Sequence, residues 1–422
     1  MDRVISSFEL ARAALFNIRG FQNIDLDVRG LAGRPRKRTL IVGKNGTGKT
    51  TLLRAIAIGL ADQTDASRLV SEQTGGLVND KRFLNGKIEI DLVETGTAEI
   101  GLKIHKSLVR FSGDKERISA QYRKGQRVWE PGDVAAEPLA FVCGYGAGRY
   151  GAGPETGRSY RVADSVATLF RYEQTLIDPE LTLRRLESLL GTSVYERTLR
   201  GIKRALGLME EDEIELRPTG GVVISGPTAM GRVPLEGWAD GYRLTFSWIL
   251  DLYAWAMRAE RIDEEGHIEG ILLIDEIEQH LHPSMQAEIL PRLAELLPKM
   301  QIFATTHSPL VALDAFPEEL VVLRREGDRI IAEEDVPNFF GYSVEDMLAD
   351  PRLFDSEVSG QEKRRLLTEY RDLAAIPKDQ RDAEQRQRLR SLATEVRSLE
   401  GFTERENETS RLLKEFTAKY DL

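Results

Sequence analysis

Apolar and polar residues alternate at Ile24, Leu26 and Val28, the period of a half-buried strand. A loop follows, and the all-apolar core of Thr39-Leu-Ile-Val42 predicts a short buried strand. A glycine-rich turn separates it from a helical stretch over residues 49–60. Between residues 81 and 129 short alternating runs are broken at Asn85-Gly86, Gly96 and Ser112-Gly-Asp114, the pattern of an antiparallel sheet built from hairpins. Pro138-Leu-Ala-Phe-Val-Cys143 predicts another buried strand, which runs into GYGAGRYGAG. Residues 162–208 are helical in period, residues 214–234 read as short strands, and residues 244–257 form a strongly apolar helix. Residues 271–274 and 302–305 predict buried strands on either side of a helix over 284–297. Leu320-Val-Val-Leu323 is strand-like. Ser343 with Asp346 then fits a capping box, and Tyr342 is placed to pack on Met347. Beyond Gly360 the chain is rich in Glu, Arg and Leu. Leu389, Leu392, Val396 and Leu399 keep an a/d spacing for two heptads, so this segment predicts a helical hairpin.

Composition narrows the setting. A chain of 422 residues can bury a large core and predicts two or three domains. No apolar run approaches the roughly 18 residues of a membrane helix. The opening MDRVISSFELARAAL carries charge where a secretory leader has an unbroken apolar stretch. A single cysteine, Cys143, excludes an intrachain disulfide framework and every multi-cysteine metal site. The expectation is a cytoplasmic protein with no membrane association. The net charge of −10 argues against a general polyanion binder. The basic run Arg34-Pro-Arg36-Lys37-Arg38 reads as a solvated loop.

The chemistry begins at Gly43-Lys44-Asn45-Gly46-Thr47-Gly48-Lys49-Thr50, followed by Thr51. This is the P-loop pattern, set between a buried strand and a helix as the motif requires. Its glycines let main-chain N–H groups turn around phosphate oxygens at a helix N-terminus. Lys49 is placed to reach the β- and γ-phosphates, and Thr50 to offer its hydroxyl to Mg²⁺. Downstream, Ile271-Leu-Leu-Ile274 ends in Asp275-Glu276. An acid at the end of a strand beside the P-loop strand is a Walker B carboxylate, a Mg²⁺ ligand. The acid after it, Glu276, can orient and deprotonate the attacking water. FATTHSP ends the next strand with His307, placed to sense the γ-phosphate. This order is that of an ABC-type ATPase with ATP and Mg²⁺. His280 and His282 could begin a zinc site, but too few ligands remain to complete one, and the pair falls where ABC-type proteins carry the D-loop.

GILLIDEIEQHLHPSMQAEILPRLAELLPKMQIFATTHSPLV resembles the bacterial AAA-type ATPases with ABC-like heads, relatives of the RecF/SMC group, and within them the PtuA-type ATPases of Septu and related anti-phage systems. NIRGFQNIDLDV is similar to the family's opening strands, which implies that Asn17 and Arg19 lie near the nucleotide. PLEGWADGYRLTFSWILDL resembles its signature region, implying nucleotide contacts from Asp240, Gly241 and Arg243. FFGYSVEDML and the charged tail resemble its C-terminal end. The resemblance implies an α/β P-loop NTPase with an ABC-ATPase-like head: a mixed sheet flanked by helices, an antiparallel β-subdomain, a helical insertion and a C-terminal helical tail. The corresponding segments are 1–161, 162–235, 236–340 and 341–422, the last a region for docking a partner. It also implies a homodimer or higher homo-oligomer, a separate nuclease subunit and DNA contact through the complex. Two departures stand out. Ala239 replaces the serine of the family's signature, which implies slow turnover or ATP binding as a switch. No glutamine stands after the strand ending at Cys143, where Arg149 is the substitute considered. A DNA-repair ATPase that binds DNA directly is the alternative function, and a transporter subunit fits least.

Overall fold

A strand that is apolar at every position must be covered on both faces, and the runs at 39–42, 271–274 and 302–305 demand such a place. A computed structural model describes residues 7–30, 33–72, 76–78, 85–95, 103–112, 117–124, 127–128, 140–149, 151–153, 159–218, 220–334 and parts of 336–354 and 365–399.

The chain opens with β1 (Ser7–Ile18), β2 (Phe21–Asp27) and β3 (Arg38–Val42), then α1 (Lys49–Leu60) and α2 (Gln63–Ser71). Next come β4 (Asn85–Thr95), β5 (Lys103–Ser112), β6 (Arg117–Lys124), β7 (Arg127–Val128), β8 (Val142–Tyr145) and β9 (Ala152–Gly153). The middle holds α3 (Val162–Ser165), α4 (Ala167–Phe170), β10 (Leu176–Ile177), α5 (Pro179–Leu189) and α6 (Thr192–Ala205). Three short strands, β11 (Glu213–Leu216), β12 (Val222–Gly226) and β13 (Gly231–Pro234), lead to the long helix α7 (Asp240–Arg258). The last part runs β14 (Gly270–Ile274), α8 (Pro283–Gln286), α9 (Ile289–Leu296), β15 (Met300–Thr306) and α10 (Pro309–Leu313). It closes with β16 (Leu320–Glu326), β17 (Arg329–Glu333) and α11 (Val344–Ala349).

The central sheet has the order β17-β16-β3-β15-β14-β8. All its strands are parallel except β17, which lies antiparallel at the edge. Alternate side chains of its strands enter two separate cores. Leu40, Val42, Leu272, Ile274, Ile302 and Ala304 pack with α5, α7 and α9. Ile41, Ile271, Leu273 and Phe303 pack with α1, β1 and β4. The unbroken apolar runs are thus the cost of filling both sides.

An antiparallel sheet, β2-β1-β4-β5-β6-β7, forms the expected β-subdomain. Gln301, fully buried at the start of β15, bonds it to the central sheet. Its amide donates to the carbonyls of Leu10 and Arg36, and its Oε1 accepts from the Leu10 N–H. Among the described residues no helix is long and apolar enough to cross a membrane.

Several expectations need correction. The helix expected over 284–297 is two helices, α8 and α9. Pro291 explains the break, because its ring clashes with the carbonyl four residues back, at Ala287. Residues 162–208 hold four helices and a short strand. Asp178 caps α5 by accepting from the N–H groups of Glu180 and Leu181, with Pro179 in the first turn, so a new helix begins there. The strand expected over 138–143 is Val142–Tyr145, and residues 138 and 139 lie outside the described ones. In the basic run Arg34 and Lys37 are exposed as a solvated loop requires, but Arg36 and Arg38 are partly buried and pair with Glu334 and Glu319, and Lys37 pairs with Glu9. Ser343 and Asp346 do form the capping box. The chain divides into two compact units, Met1–Asp355 and Ser356–Leu422. Helix α11 belongs to the first unit. In the second unit the helix Ala383–Leu399 carries Leu389, Leu392, Val396 and Leu399. The other arm of the expected hairpin lies mostly outside the described residues.

Candidate nucleotide-binding site

The P-loop joins β3 to α1 at one end of the central sheet. Gly43 must be glycine, because a Cβ there would stand 2.4 Å from the Leu323 carbonyl oxygen on β16. Gly48 has φ 88°, and a Cβ would meet the Phe21 ring at 2.7 Å. The loop is thereby pressed between β16 and the β1–β2 turn. Lys44, Asn45 and Gly46 are exposed at its tip, while Thr47, Lys49 and Thr51 are buried. The first turn of α1 holds no acidic residue, so the positive end of the helix and its N–H groups are left for an anion. Lys49 Nζ donates to the carbonyls of Gly43 at 2.5 Å and Lys44 at 3.2 Å. Burial lowers the Lys49 pKa, opposed by the carboxylates of Asp275, Glu278 and Glu276. A partly desolvated ammonium facing three acids is an anchor for phosphate, which would compete with those acids for it.

The two acids at the end of β14 meet the P-loop directly. Thr50 Oγ1 donates to Asp275 Oδ2 at 2.6 Å. Thr305, fully buried at the end of β15, donates to Asp275 Oδ1 at 2.6 Å and accepts from the Glu276 N–H at 2.9 Å. Asp275 is itself 4% exposed, so its two oxygens are oriented by the two hydroxyls. The hydroxyl and carboxylate at Thr50 and Asp275 are hard oxygen donors of the kind Mg²⁺ takes. Glu276 has φ 47°, a left-handed conformation costly for a residue with a side chain. Arg149 helps to hold it there. Its buried guanidinium donates to the carbonyls of Gly146, Asp275 and Glu276 at 2.9, 2.8 and 2.9 Å. Arg149 thus grips the main chain of the acidic pair, a structural part that its position in the sequence did not suggest.

His307, just past β15, has its N–H on Glu278 Oε1 at 2.8 Å and its Nδ1 2.9 Å from the same oxygen. Glu278 is buried, as are Ile277 and Leu281. Within residues 278–282 only His280 and His282 are exposed. His282 accepts from the Ser284 N–H and caps α8. Among the described residues neither His280 nor His282 belongs to a metal-ligating cluster.

The signature-like segment forms the first turn of α7. Ala239 is the N-cap and supplies no side-chain bond. Asp240 and Arg243 pair at 2.6 Å on the surface. A Cβ on Gly241 would stand 2.8 Å from the His280 carbonyl oxygen, so within one chain this glycine lets α7 pass the segment after Glu278. Asn17 and Arg19 both have positive φ at the β1–β2 turn. Asn17 donates to the Asn85 carbonyl and Arg19 to the Gly76 carbonyl. The residue of this turn that meets the P-loop is Phe21, whose ring lies against Gly48.

A P-loop strand beside a strand that ends in an acidic pair, in one mostly parallel sheet with an antiparallel subdomain and a helical insertion, defines an α/β P-loop fold. Residues 245–314 match the family described as "AAA domain, putative AbiEii toxin, Type IV TA system", and residues 14–131 one described as "AAA domain". The chain is similar to the Septu protein PtuA of Bacillus mycoides (strain KBAB4), at 25% identity over 80% of this chain and 44% of that protein. It is also similar to the Septu protein PtuA of Bacillus thuringiensis, at 34% identity over 31% of this chain and 34% of that one. The chain thus spans less than half the length of these relatives. Among solved structures, the SMC head domain from Thermotoga maritima matches 78% of this chain and 99% of its own, at 14% identity and a TM-score of 0.44.

Proposed function

We propose that the chain binds and hydrolyses ATP as a switch subunit of a prokaryotic anti-phage assembly. The observation that carries this reading is the 2.6 Å hydrogen bond from Thr50 to Asp275, which closes the P-loop on the acidic strand end. The likeness to PtuA proteins supports the defence setting.

In this reading Lys49 leaves the carbonyls of Gly43 and Lys44 and binds the β- and γ-phosphates, while the α1 amides hold the β-phosphate. Mg²⁺ at Thr50 and Asp275 would offset the charge on the phosphate oxygens. A water oxygen attacks the γ-phosphorus and gives its proton to Glu276, and the β–γ bridging oxygen departs with ADP. His307 contacts the γ-phosphate. The second half of the site comes from the α7 N-terminus of another copy, with Asp240, Gly241 and Arg243, so the working form is at least a homodimer. Because Ala239 brings no hydroxyl, turnover is slow and suits a switch more than a motor. The cutting of nucleic acid belongs to a separate nuclease subunit, through which the assembly meets DNA.

The test is phage protection in cells that carry the chain together with its neighbouring genes. Lys49→Ala removes a charge-assisted bond to phosphate worth about 1.5–3 kcal/mol, and it should abolish protection at unchanged protein level. Full protection by Lys49→Ala would contradict the proposal.

A further inference from the structure

Gln286 is used by none of the steps above. It closes α8, a single turn begun by the His282 cap with Pro283 in first place. The turn carries its side chain back over the segment that the chain has just left. Nε2 donates to the Leu281 carbonyl at 2.9 Å, and Oε1 accepts from the Ser308 hydroxyl at 2.7 Å. The direction of both bonds is fixed by chemistry. A carbonyl only accepts, so the NH₂ group must face Leu281 and the amide oxygen must face Ser308. That oxygen cannot donate, so Ser308 gives it its one proton while accepting from the Leu310 N–H at 3.2 Å.

The segment after Glu276 and the loop after β15 are thereby joined at three places. The Ile277 N–H donates to the Thr305 carbonyl at 3.0 Å, and the His307 N–H to Glu278 Oε1 at 2.8 Å. Gln286 supplies the third tie, just beyond His307, and the only one of the three made wholly through a side chain of its own. The His307 side chain is 48% exposed, so packing does little to place it and the main chain on either side does most. Thr306, fully buried, holds one side, and Ser308 holds the other. At its far end the tie reaches the surface, because His280 and His282, on either side of Leu281, are both exposed.

We infer that Gln286 is a positioning residue for His307: its amide pins the residue after His307 to the segment between His280 and His282, so that the loop and this surface move together. The effect on turnover rests on the ATP hydrolysis and the His307 contact proposed above, whereas the tie itself does not.

The test uses the full chain. Gln286→Leu removes both bonds at nearly constant volume. The main-chain amides of His307 and Ser308 should then exchange hydrogen about 10-fold faster, with those of α1 and β3 unchanged. In phosphate release from Mg-ATP, kcat should fall about 10-fold with KM within about twofold. The double variant Gln286→Leu/His307→Ala should be no slower than His307→Ala, because a residue that acts only through His307 then has nothing left to place. A merely structural loss would slow the double variant by about a further 10-fold, and that result overturns the inference. So does wild-type exchange at His307 and Ser308 in Gln286→Leu. If Gln286→Leu does not fold, Gln286→Glu breaks only the bond to Leu281 and is judged by the same exchange and turnover. A wild type that releases no phosphate refutes the proposed function instead, and faster exchange at His307 and Ser308 would leave the tie standing.

Discussion

Asp251 lies on α7 with 3% exposure, and its two oxygens accept from the Tyr145 hydroxyl at 2.8 Å and the Ile177 N–H at 2.7 Å. Burial outweighs these bonds and raises its pKa from the ordinary 3.8 to about 6, which disfavours the ionised form in the fold by about 3 kcal/mol. The folded state therefore binds this proton more tightly than the unfolded chain. Its contribution to stability is fully present below about pH 3.8 and is lost as pH rises through about 6. Asp251→Asn removes the titration while keeping a polar partner for Tyr145. Urea unfolding from pH 4.5 to 7.5 should show the variant gaining on the wild type as pH rises, by about 2 kcal/mol. Parallel stability curves would contradict the assignment. Residues of this kind were hidden in the sequence. Lys49, Asp275, Glu276 and His307 stood in motifs, but Thr305, Glu278 and Asp251 have partners 30, 29 and 106 positions away. Only the fold brings them together. Thr305 did leave a trace, as a polar residue directly after the apolar run Ile302-Phe-Ala304.

At the scale of elements, periodicity located most strands and the long helix, because parallel strands buried on both faces leave apolar runs that little else produces. It failed where one residue overrides the period, as Pro291 in the first turn of α9 does by cutting that helix off from α8. β17 was missed for a related reason: as an edge strand, with its residues partly exposed, it has no continuous apolar run. In the proposed function the first turn of α7 is the element on which assembly turns. Asp240 and Arg243 stay on the surface, their side chains 68% and 38% exposed, and Ala239 offers no hydroxyl, so Arg243 is the main cation this turn can give a partner's phosphate. Sedimentation with a non-hydrolysable ATP analogue should show a wild-type dimer that Arg243→Ala weakens by about 10-fold or more, as for loss of a charge-assisted bond. A wild type that stays monomeric at tens of micromolar with nucleotide bound would contradict the shared site.

For the whole molecule, the central sheet draws on residues 38–42, 142–145, 270–274, 300–306, 320–326 and 329–333, with the antiparallel subdomain and the helical insertion threaded between them. Two cores, one on each face of that sheet, hold the P-loop and the acidic strand end in fixed relation. The central claim is that this arrangement hydrolyses ATP with Glu276 as the base. Its most direct test is phosphate release from Mg-ATP by the purified chain, measured beside ATP binding, for the wild type and Glu276→Gln. Both should bind ATP with affinities within about threefold, and the variant should lose hydrolysis about 10²-fold or more, as for removal of a general base. Undiminished phosphate release by Glu276→Gln would contradict the account.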